Sequence, residues 1–217
     1  MRICGIITAG GTSTRFGNTN KLLEKINGKE VIKLTVEKFI NSKIDEIIIC
    51  ANESIIPTLE KFFSTVDNIK IIKGGETRQE SVFNGLKVVD NCDYVLIHDG
   101  ARPLINTKII KNTIEAVIKN KAVSVMTKTI DTIKEVDENG KIIRTIDRSK
   151  LYNTQTPQAF EYSLIKTTHE KLAGQNFTDD AGMVEYLGFD VYIVEGDYKN
   201  IKITTQTDIE LAKVYLE

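Results

Sequence analysis

The amino-acid sequence predicts an α/β fold, a doubly wound and mostly parallel sheet with a projecting β-hairpin arm. Short apolar runs rich in Ile and Val alternate along the chain with longer amphipathic stretches. Repeated strand–helix–strand order of this kind favours parallel strands with helices on both sheet faces. The runs contain few polar residues, which is typical of strands buried on both faces. One segment, residues 127–146, departs from the alternation and predicts the arm.

The predicted strands are short β-branched runs with turn residues at their ends. They span residues 3–8, 44–51, 69–73, 94–98 and 122–127. The predicted helices have helical apolar spacing and span residues 30–41, 54–63, 77–89 and 107–120. Two sequences, Thr77 to Glu80 and Thr207 to Glu210, fit the capping box that satisfies the first free N–H groups of a helix.

Residues 127–146 read TKTIDTIKEVDENGKIIRTI, two β-prone runs joined at Asn139-Gly140. An Asn-Gly pair between such runs is a strong hairpin signal. The segment is too rich in Lys and Arg for the middle of a sheet. We therefore expect an arm at about residues 128–150 of a single domain that spans residues 1–217. Because a two-stranded ribbon is marginally stable alone, the arm is expected to pack on another subunit.

Composition narrows the class of protein. Of the 217 residues, 41% are hydrophobic and 27% are charged, as in an ordinary globular protein. The net charge of −1 argues against a nucleic-acid partner. No apolar stretch approaches the roughly 18 residues of a membrane helix, and no signal-like segment is present, so a cytoplasmic location without a membrane partner is expected. Cys4 and Cys50 lie in apolar runs and are interpreted as core residues.

A glycine-rich loop follows the first predicted strand. It reads AGGTSTRFG from Ala9, and Asn20-Lys21 comes soon after. Ligands of doubly wound sheets bind beyond the carboxyl ends of the strands. Small residues there let backbone N–H groups approach an anion, and Arg15 and Lys21 add positive charge. The spacing matches neither a Walker loop nor the G-x-G-x-x-G fingerprint, so a tight turn with two solvated charges is the alternative.

The sequence HDGARP follows another predicted strand, which brings Asp99 and Arg102 to the same edge of the sheet. A carboxylate there can ligate Mg²⁺ or hold a sugar hydroxyl, and an Arg can bind phosphate. A structural ion pair between these two side chains is the alternative. His98 is interpreted as a strand-end residue that forms hydrogen bonds within the fold, not as a catalyst.

Three further segments are candidates for the same edge. Residues 74–81 open a helix, and their free amides could hold a base or a phosphate, although a plain turn fits equally well. Residues 155–158, QTPQ, form a polar stretch that we expect to be irregular. Residues 200–204 have one lysine, Lys202, in a predicted apolar strand. That lysine is either an exposed edge residue or a cation that faces the cleft.

Taken together, these segments resemble the 2-C-methyl-D-erythritol 4-phosphate cytidylyltransferases of the non-mevalonate isoprenoid pathway. The resemblance rests on AGGTSTRFGNTNK, GGETRQESV, IHDGARP, DTIK, DRSKLYNTQTPQAF, TDDAGMVE and VEGDYKNIKITT, which follow the family's order across essentially the whole chain. Ribitol-5-phosphate cytidylyltransferases share much of this pattern and are the close alternative. The Gly100-Ala101 pair looks more like the methylerythritol branch.

The resemblance implies a Rossmann-like domain that binds CTP, with Mg²⁺ held mainly through the CTP phosphates. It also implies a small polyol phosphate as acceptor and a homodimer formed through the arm. The residues that match catalytic positions of the family are Arg15, Lys21, Arg148 and Lys202. Those that match its nucleotide-binding positions are Ala9, Gly10, Gly11, Gly75 and Ser81. Those that match its acceptor-binding positions are Asp99, Arg102, Thr132 and Thr156.

In the family pattern, Arg15 and Lys21 stabilise charge at the α-phosphate of CTP, and Lys202 positions the acceptor phosphate. Thr132 and Arg148 approach the acceptor from the partner subunit. The loop departs from the pattern at Ser13 and Asn20, where many relatives have glycine and proline. Neither departure removes a group that the chemistry requires.

Two other classes of protein are alternatives. An NAD-dependent oxidoreductase uses the same sheet, but the glycine spacing is wrong for it. In addition, Cys50-Ala51-Asn52 stands where the second strand of such an enzyme would end in an acidic residue. A nucleotide-binding scaffold without activity is the other class, and the presence of Arg15, Lys21, Asp99 and Lys202 argues against it.

Overall fold

The structure is a computed structural model that describes residues 1–11, 16 and 20–217. Its strands, in chain order, are β1 (Ile3–Ala9), β2 (Lys25–Ile26), β3 (Lys29–Glu30), β4 (Glu46–Ala51), β5 (Ile69–Lys73), β6 (Tyr94–Asp99), β7 (Ala122–Lys128), β8 (Lys134–Val136), β9 (Ile142–Thr145), β10 (Tyr152–Glu161) and β11 (Tyr192–Glu195). Its helices are α1 (Val31–Asn41), α2 (Ile56–Phe63), α3 (Arg78–Val88), α4 (Thr107–Asn120), α5 (Tyr162–Lys171), α6 (Asp180–Tyr186) and α7 (Gln206–Tyr215). Within these described ranges, no helix is long and apolar enough to cross a membrane.

Seven of the strands form a central sheet in the order β11–β7–β10–β6–β1–β4–β5. β10 is antiparallel to its neighbours β6 and β7, and the other neighbouring pairs are parallel. The predicted doubly wound, mostly parallel α/β fold is therefore confirmed. Since β1, β4, β5 and β6 run the same way, their carboxyl ends meet at one edge.

Helices cover both faces of this sheet, and successive residues of β1 contact opposite sides of it. Ile7 packs in a cluster with residues of α1 and α4. Ile6 packs in a second cluster with residues of α3 and α6. Each fully buried isoleucine of this kind contributes roughly 1.5–3 kcal/mol to stability. Cys4 and Cys50 belong to the second cluster, which confirms their interpretation as core residues.

The polar stretch 155–158 was predicted to be irregular, and this prediction is wrong. The stretch lies within the central strand β10. Proline lacks an N–H donor and is therefore rare inside a sheet. The pairing of β10 with β7 shifts register between Thr154 and Gln158, and Pro157 lies in that irregularity. A polar, proline-containing strand is tolerated here because the ladder is interrupted at the proline.

The segment 200–204 was predicted to be a strand, and this prediction is wrong. The segment is irregular. The N–H of Ile203 donates to the carbonyl of Ala101 at 2.8 Å, which ties the segment to the loop after β6. Ile203 itself is fully buried. The apolar pattern that suggested a strand therefore reflects docking of an irregular segment onto the core.

Of the two predicted capping boxes, one is formed in part and one is displaced. Thr77 Oγ1 accepts the N–H of Glu80 at 3.0 Å, as predicted for the start of α3, but Glu80 Oε2 accepts the N–H of Glu76 at 2.8 Å. The capping box of α7 is formed by Thr205 and Asp208, two residues before the predicted Thr207. Asp208 Oδ2 accepts the N–H of Thr205 at 2.8 Å.

The predicted arm is confirmed. β8 and β9 pair with each other in an antiparallel sheet separate from the central one. The turn between them depends on Asp137, whose Oδ1 accepts the N–H groups of Asn139 at 3.0 Å and Lys141 at 2.9 Å. Gly140 has a φ of 79°, in the left-handed region that glycine favours. The arm thus depends on local turn chemistry and contributes no strand to the core.

Candidate active site

Two adjoining pockets open at the edge of the sheet where β1, β5 and β6 end, as expected for ligand sites of doubly wound folds. The first pocket is lined by residues that include Ala9, Gly10, Gly11, Lys21, Gly75 and Ser81. The second pocket is lined by residues that include Arg102, Thr154, Gln155, Thr156, Gln158 and Asp179. Arg78, Asp99 and Lys202 line both pockets. The structure therefore brings most of the predicted site residues together, with the predicted nucleotide-binding residues in the first pocket.

The first pocket depends on close approach of the backbone around the Ser81 hydroxyl. Ser81 Oγ accepts the N–H of Gly75 at 3.0 Å and donates to the carbonyl of Thr77 at 2.9 Å. A Cβ on Gly10 would lie 2.9 Å from the same Oγ. A Cβ on Gly75 would lie only 2.2 Å from Glu80 Cβ. A side chain at either position would clash with its neighbours, so both positions require glycine. The two glycines also leave peptide groups accessible at the rim of the pocket.

Ser81→Ala is expected to lower the free energy of unfolding by about 1–3 kcal/mol, because it leaves the N–H of Gly75 without its partner. Urea unfolding of the purified protein measures this loss. The matched control is Ser64→Ala, because Ser64 is exposed and its hydroxyl only donates to the carbonyl of Lys61 at 3.3 Å. The control is expected to lose less than about 0.5 kcal/mol. Equal losses in the two variants would contradict the role of Ser81.

Asp99 is the centre of a charged cluster that separates the two pockets. Its carboxylate lies 3.2 Å from Arg78 Nε, 2.8 Å from Lys202 Nζ and 3.6 Å from Arg102 Nε. Burial alone would raise the pKa of Asp99, but the charges of Arg78 and Lys202 outweigh it and hold the pKa well below its usual range. One ionised carboxylate thus gathers three cations at the pocket junction, where phosphate groups would be attracted.

A chain of hydrogen bonds fixes Asp99 from below. The N–H of Asp99 donates to Thr156 Oγ1 at 3.1 Å. Thr156 Oγ1 lies 2.9 Å from His98 Nδ1, and His98 Nε2 lies 3.2 Å from the carbonyl oxygen of Arg102. A carbonyl only accepts, so Nε2 carries the proton and the Thr156 hydroxyl donates to Nδ1. Thr156 therefore lies at the second pocket, but its hydroxyl forms hydrogen bonds inside the protein. Both ring nitrogens of His98 also contact groups of the fold, as expected for a structural residue.

His98 is expected to make stability pH-dependent. Burial lowers its pKa from 6.5 to about 4, so the unfolded chain takes up the proton more readily than the folded one. The stability from neutral His98 is complete above the unfolded pKa of about 6.5 and is lost as the pH falls towards 4. Between about pH 8 and pH 5 this loss is about 2 kcal/mol of unfolding free energy.

The comparison variant is His98→Gln, which keeps a donor and an acceptor but does not titrate. Urea unfolding of both proteins at the two pH values isolates the histidine, because all other titrating groups are shared. From about pH 8 to pH 5, the free energy of unfolding is expected to fall by about 2 kcal/mol less in the variant than in the wild type. Parallel declines would show that His98 is not buried in its neutral form.

Arg102 forms the ion pair with Asp99 that was one alternative open from the sequence, and it also fixes the segment that carries Lys202. Arg102 Nη1 donates to the carbonyl of Asn200 at 2.8 Å, and Nη2 lies 3.5 Å from the carbonyl of Thr154. Asn200 Nδ2 in turn donates to the carbonyl of Thr156 at 3.0 Å. These bonds hold the irregular segment against β10. Lys202 consequently faces the pocket junction and is not an outer-edge residue.

Arg78 is a site residue that sequence reasoning missed. Its Nε contacts Asp99, and its Nη1 donates to Asp180 Oδ2 at 2.7 Å. Burial opposes the charge on Arg78, but Asp180 and Asp99 outweigh it and raise the pKa of the guanidinium. Arg78 is the first residue of α3, where a cation is unfavourable for the helix dipole. That misplaced charge was the available signal that carboxylate partners lie nearby.

Among the described residues, two of the predicted site residues are not brought to these pockets. Arg15 lies outside the described residues. Thr132 and Arg148 belong to the exposed arm, and neither lines the two pockets of its own chain. The Arg148 guanidinium donates to the carbonyl of Ile130, another arm residue. The site roles of these two arm residues therefore stay predictions.

The described residues do not form a protein site for the expected Mg²⁺. Among them, no group of three or more His, Cys, Asp or Glu side chains could hold a metal ion. The carboxylate at the pocket junction, Asp99, already contacts three cationic side chains. Magnesium prefers oxygen ligands that are free to coordinate it. No reaction step is therefore assigned to a metal held by these side chains.

A doubly wound sheet whose carboxyl edge presents glycine-lined peptide groups and clustered cations defines a Rossmann-like nucleotide-binding protein. A family model described as 2-C-methyl-D-erythritol 4-phosphate cytidylyltransferase matches residues 3–217. The chain belongs to this family, and it is therefore a nucleotidyltransferase. This confirms the family predicted from the sequence and does not favour an NAD-dependent oxidoreductase.

Similar proteins support the assignment over the whole chain. The 2-C-methyl-D-erythritol 4-phosphate cytidylyltransferase of Caldanaerobacter subterraneus subsp. tengcongensis is 44% identical, over 100% of this chain and 99% of that protein. The enzyme of the same name from Dictyoglomus thermophilum is 43% identical, over 96% of this chain and 94% of that protein. A crystal structure of the 4-diphosphocytidyl-2C-methyl-D-erythritol synthase of Anaerococcus prevotii has a TM-score of 0.89 and 37% identity, over 99% of this chain and 98% of that one.

Proposed function

We propose that this chain transfers the cytidylyl group of CTP to 2-C-methyl-D-erythritol 4-phosphate, with release of pyrophosphate. The observation that carries the proposal is the pair of adjoining pockets that share Arg78, Asp99 and Lys202. The glycine-lined first pocket suits CTP, and the polar second pocket suits a small polyol phosphate. A shared cationic junction is what a reaction between two phosphate groups requires, because it screens their mutual repulsion.

In the proposed reaction, a phosphate oxygen of the acceptor attacks the α-phosphorus of CTP. The bond from that phosphorus to the bridging oxygen breaks, and the electron pair leaves with pyrophosphate. A phosphate monoester is largely dianionic near neutral pH, so the nucleophile needs no general base. The position of His98 agrees with this, because both of its ring nitrogens form hydrogen bonds inside the fold and neither is available as a base. Lys21 in the first pocket and Lys202 at the junction supply positioning and charge stabilisation.

Asp99 has two roles in this arrangement. It holds Lys202 at 2.8 Å, and its carboxylate can accept a hydrogen bond from an acceptor hydroxyl. Magnesium would enter as the counter-ion of the CTP phosphates, as expected from the resemblance.

We further propose that residues 1–217 act as a single cytoplasmic nucleotidyltransferase domain that forms a homodimer through the arm. The support is a set of large apolar side chains on the arm and near it that are at least half exposed in the single chain. They are Ile130 (63%), Val136 (52%), Ile142 (57%), Ile143 (57%) and Tyr198 (51%). Exposed apolar side chains concentrated on and near the arm suit burial against a second copy.

Arg148→Ala is expected to raise the KM for the acceptor far more than the KM for CTP, because Arg148 would reach the acceptor of the partner subunit. The matched control is Arg144→Ala on the same arm, since Arg144 is exposed and its Nε contacts Glu135 at 2.5 Å. Steady-state kinetics on both variants, with the oligomeric state measured by light scattering, provide the comparison. Equal changes in the two KM values, or equal effects of the two variants, would argue against a role for Arg148.

Product identification tests the proposed function directly. The protein is incubated with CTP, Mg²⁺ and methylerythritol phosphate, and the products are resolved by mass spectrometry and ³¹P NMR. We expect pyrophosphate and a CDP-linked polyol in equal amounts. Thermal shift with CTP against NAD⁺ is the companion measurement, with stabilisation expected only for CTP. Absence of the CDP-linked product, or stabilisation by NAD⁺ alone, would overturn the proposal.

A further inference from the structure

A line of buried polar side chains leads from the pocket junction into the interior, and the proposed reaction uses only its outer end. His169 Nε2 lies 3.0 Å from Asp180 Oδ1, and Asp180 Oδ2 accepts from Arg78 Nη1 at 2.7 Å. Arg78 Nε then contacts Asp99 at 3.2 Å, and Asp99 holds Lys202 at 2.8 Å. His169 and Asp180 are each only 1% exposed.

The inner end of this line is held rigidly. The N–H groups of Asp180 and Ala181 both donate to Gln158 Oε1, at 3.0 and 3.1 Å, which fixes the start of α6 against β10. The His169 ring stacks on Phe83 with 5.9 Å between ring centroids. The Asp180 carboxylate is therefore presented to Arg78 from one defined position.

The outer end depends on a bridge that only a guanidinium can make. Arg78 contacts two carboxylates with two different nitrogens, Asp99 through Nε and Asp180 through Nη1. A planar fork of donors can hold both in a fixed geometry, whereas the single ammonium of a lysine cannot. Without the Asp180 contact, Arg78 would be free to turn fully towards Asp99. It would then compete with Lys202 for the same carboxylate.

We propose that Asp180 and His169 are positioning residues that hold Arg78, and through it Asp99 and Lys202, in the arrangement that receives the acceptor phosphate. The proposal rests on the proposed cytidylyl transfer. Neither residue lines the two pockets, so each acts through Arg78 and not on substrate. Binding of the acceptor phosphate is affected most, because a loosened Arg78 would displace Lys202 from Asp99.

The test is Asp180→Asn, which keeps the side-chain shape but removes the charge that anchors Arg78. We expect the KM for methylerythritol phosphate to rise about tenfold or more while the KM for CTP changes less than about threefold. The matched control is Asp190→Asn, an exposed aspartate beyond the same helix, which is expected to leave both constants unchanged. Equal changes in both KM values, or no change in either, would overturn the proposal.

A second variant distinguishes the proposed positioning role of this buried ion pair from a purely structural one. Asp180→Asn leaves Arg78 without one partner and can impair folding, whereas Arg78→Gln with Asp180→Asn leaves no unpaired buried charge. In the double variant we expect a folded protein, by circular dichroism and thermal unfolding, that still has the raised acceptor KM. A folded double variant with the wild-type acceptor KM would overturn the proposal. If wild type itself turns over no acceptor, the proposed function fails, and this inference fails with it.

Discussion

Lys21→Ala is expected to lower kcat by about 10²-fold or more, the scale observed when one preorganised donor to a transition state is removed. Lys21 is half-buried and lines the first pocket beside Gly10 and Gly11. An ammonium group there would face the phosphates of CTP, where negative charge builds up on the transferred group and on the leaving pyrophosphate. Because that charge is larger in the transition state than in bound CTP, kcat should fall more than the KM for CTP rises.

The measurement is steady-state pyrophosphate release at saturating CTP and acceptor. Lys25→Ala is the matched control, because Lys25 is an exposed lysine four residues later that lies 3.9 Å from Glu30 and lines neither pocket. The control is expected to retain wild-type kcat. An unchanged kcat in Lys21→Ala would remove Lys21 from the reaction.

Lys202→Ala is expected to lower kcat/KM for the acceptor by about 10²-fold, with a much smaller effect on the KM for CTP. Lys202 is the most exposed of the three cations around Asp99, with a side chain that is 40% exposed against 26% for Arg78 and 13% for Arg102. It is therefore the cation of this cluster most accessible to an incoming phosphate. Arg78 and Arg102 still neutralise Asp99 in the variant, so the fold is expected to persist.

Lys199→Ala is the control for this variant. Lys199 lies three residues earlier, with its Nζ 5.7 Å from the centre of the Tyr215 ring, and it lines neither pocket. Kinetics with each substrate varied in turn separate the two KM values, and thermal unfolding verifies the fold. An equal rise in the KM for CTP and for the acceptor would mean that Lys202 acts on the whole cluster and not on the acceptor.

The parallel part of the fold could be predicted because its strands are local, apolar and regularly spaced. β10 could not, because it contains Pro157, a residue type depleted in strands, and because its buried residues include the polar side chains of Gln155 and Gln158. These side chains are satisfied by partners distant in sequence, such as Ser124 for Gln158 at 3.1 Å. Tertiary hydrogen bonds therefore made a strand from a segment whose local signals indicate a loop.

The same distinction applies to the site. Asp99 and the glycines follow predicted strands, so the edge on which they meet could be inferred from the parallel direction of those strands. The Arg78–Asp180 pair joins residues 102 positions apart at the starts of two helices, and no local pattern links them. The local sequence around Lys202 left two alternatives open, and the bonds that Arg102 makes to its segment explain why Lys202 lies at the cleft. Sequence thus predicts residues at strand ends better than it predicts the ion pairs that orient them.

The shared junction of the two pockets is proposed to accept methylerythritol phosphate beside CTP. The most direct test compares kcat/KM for 2-C-methyl-D-erythritol 4-phosphate and ribitol 5-phosphate, with CTP and Mg²⁺ fixed, by pyrophosphate release. We expect a strong preference for methylerythritol phosphate. A preference for ribitol phosphate would contradict the assigned acceptor while leaving the transfer chemistry intact. Release with neither acceptor would contradict the account of the second pocket itself.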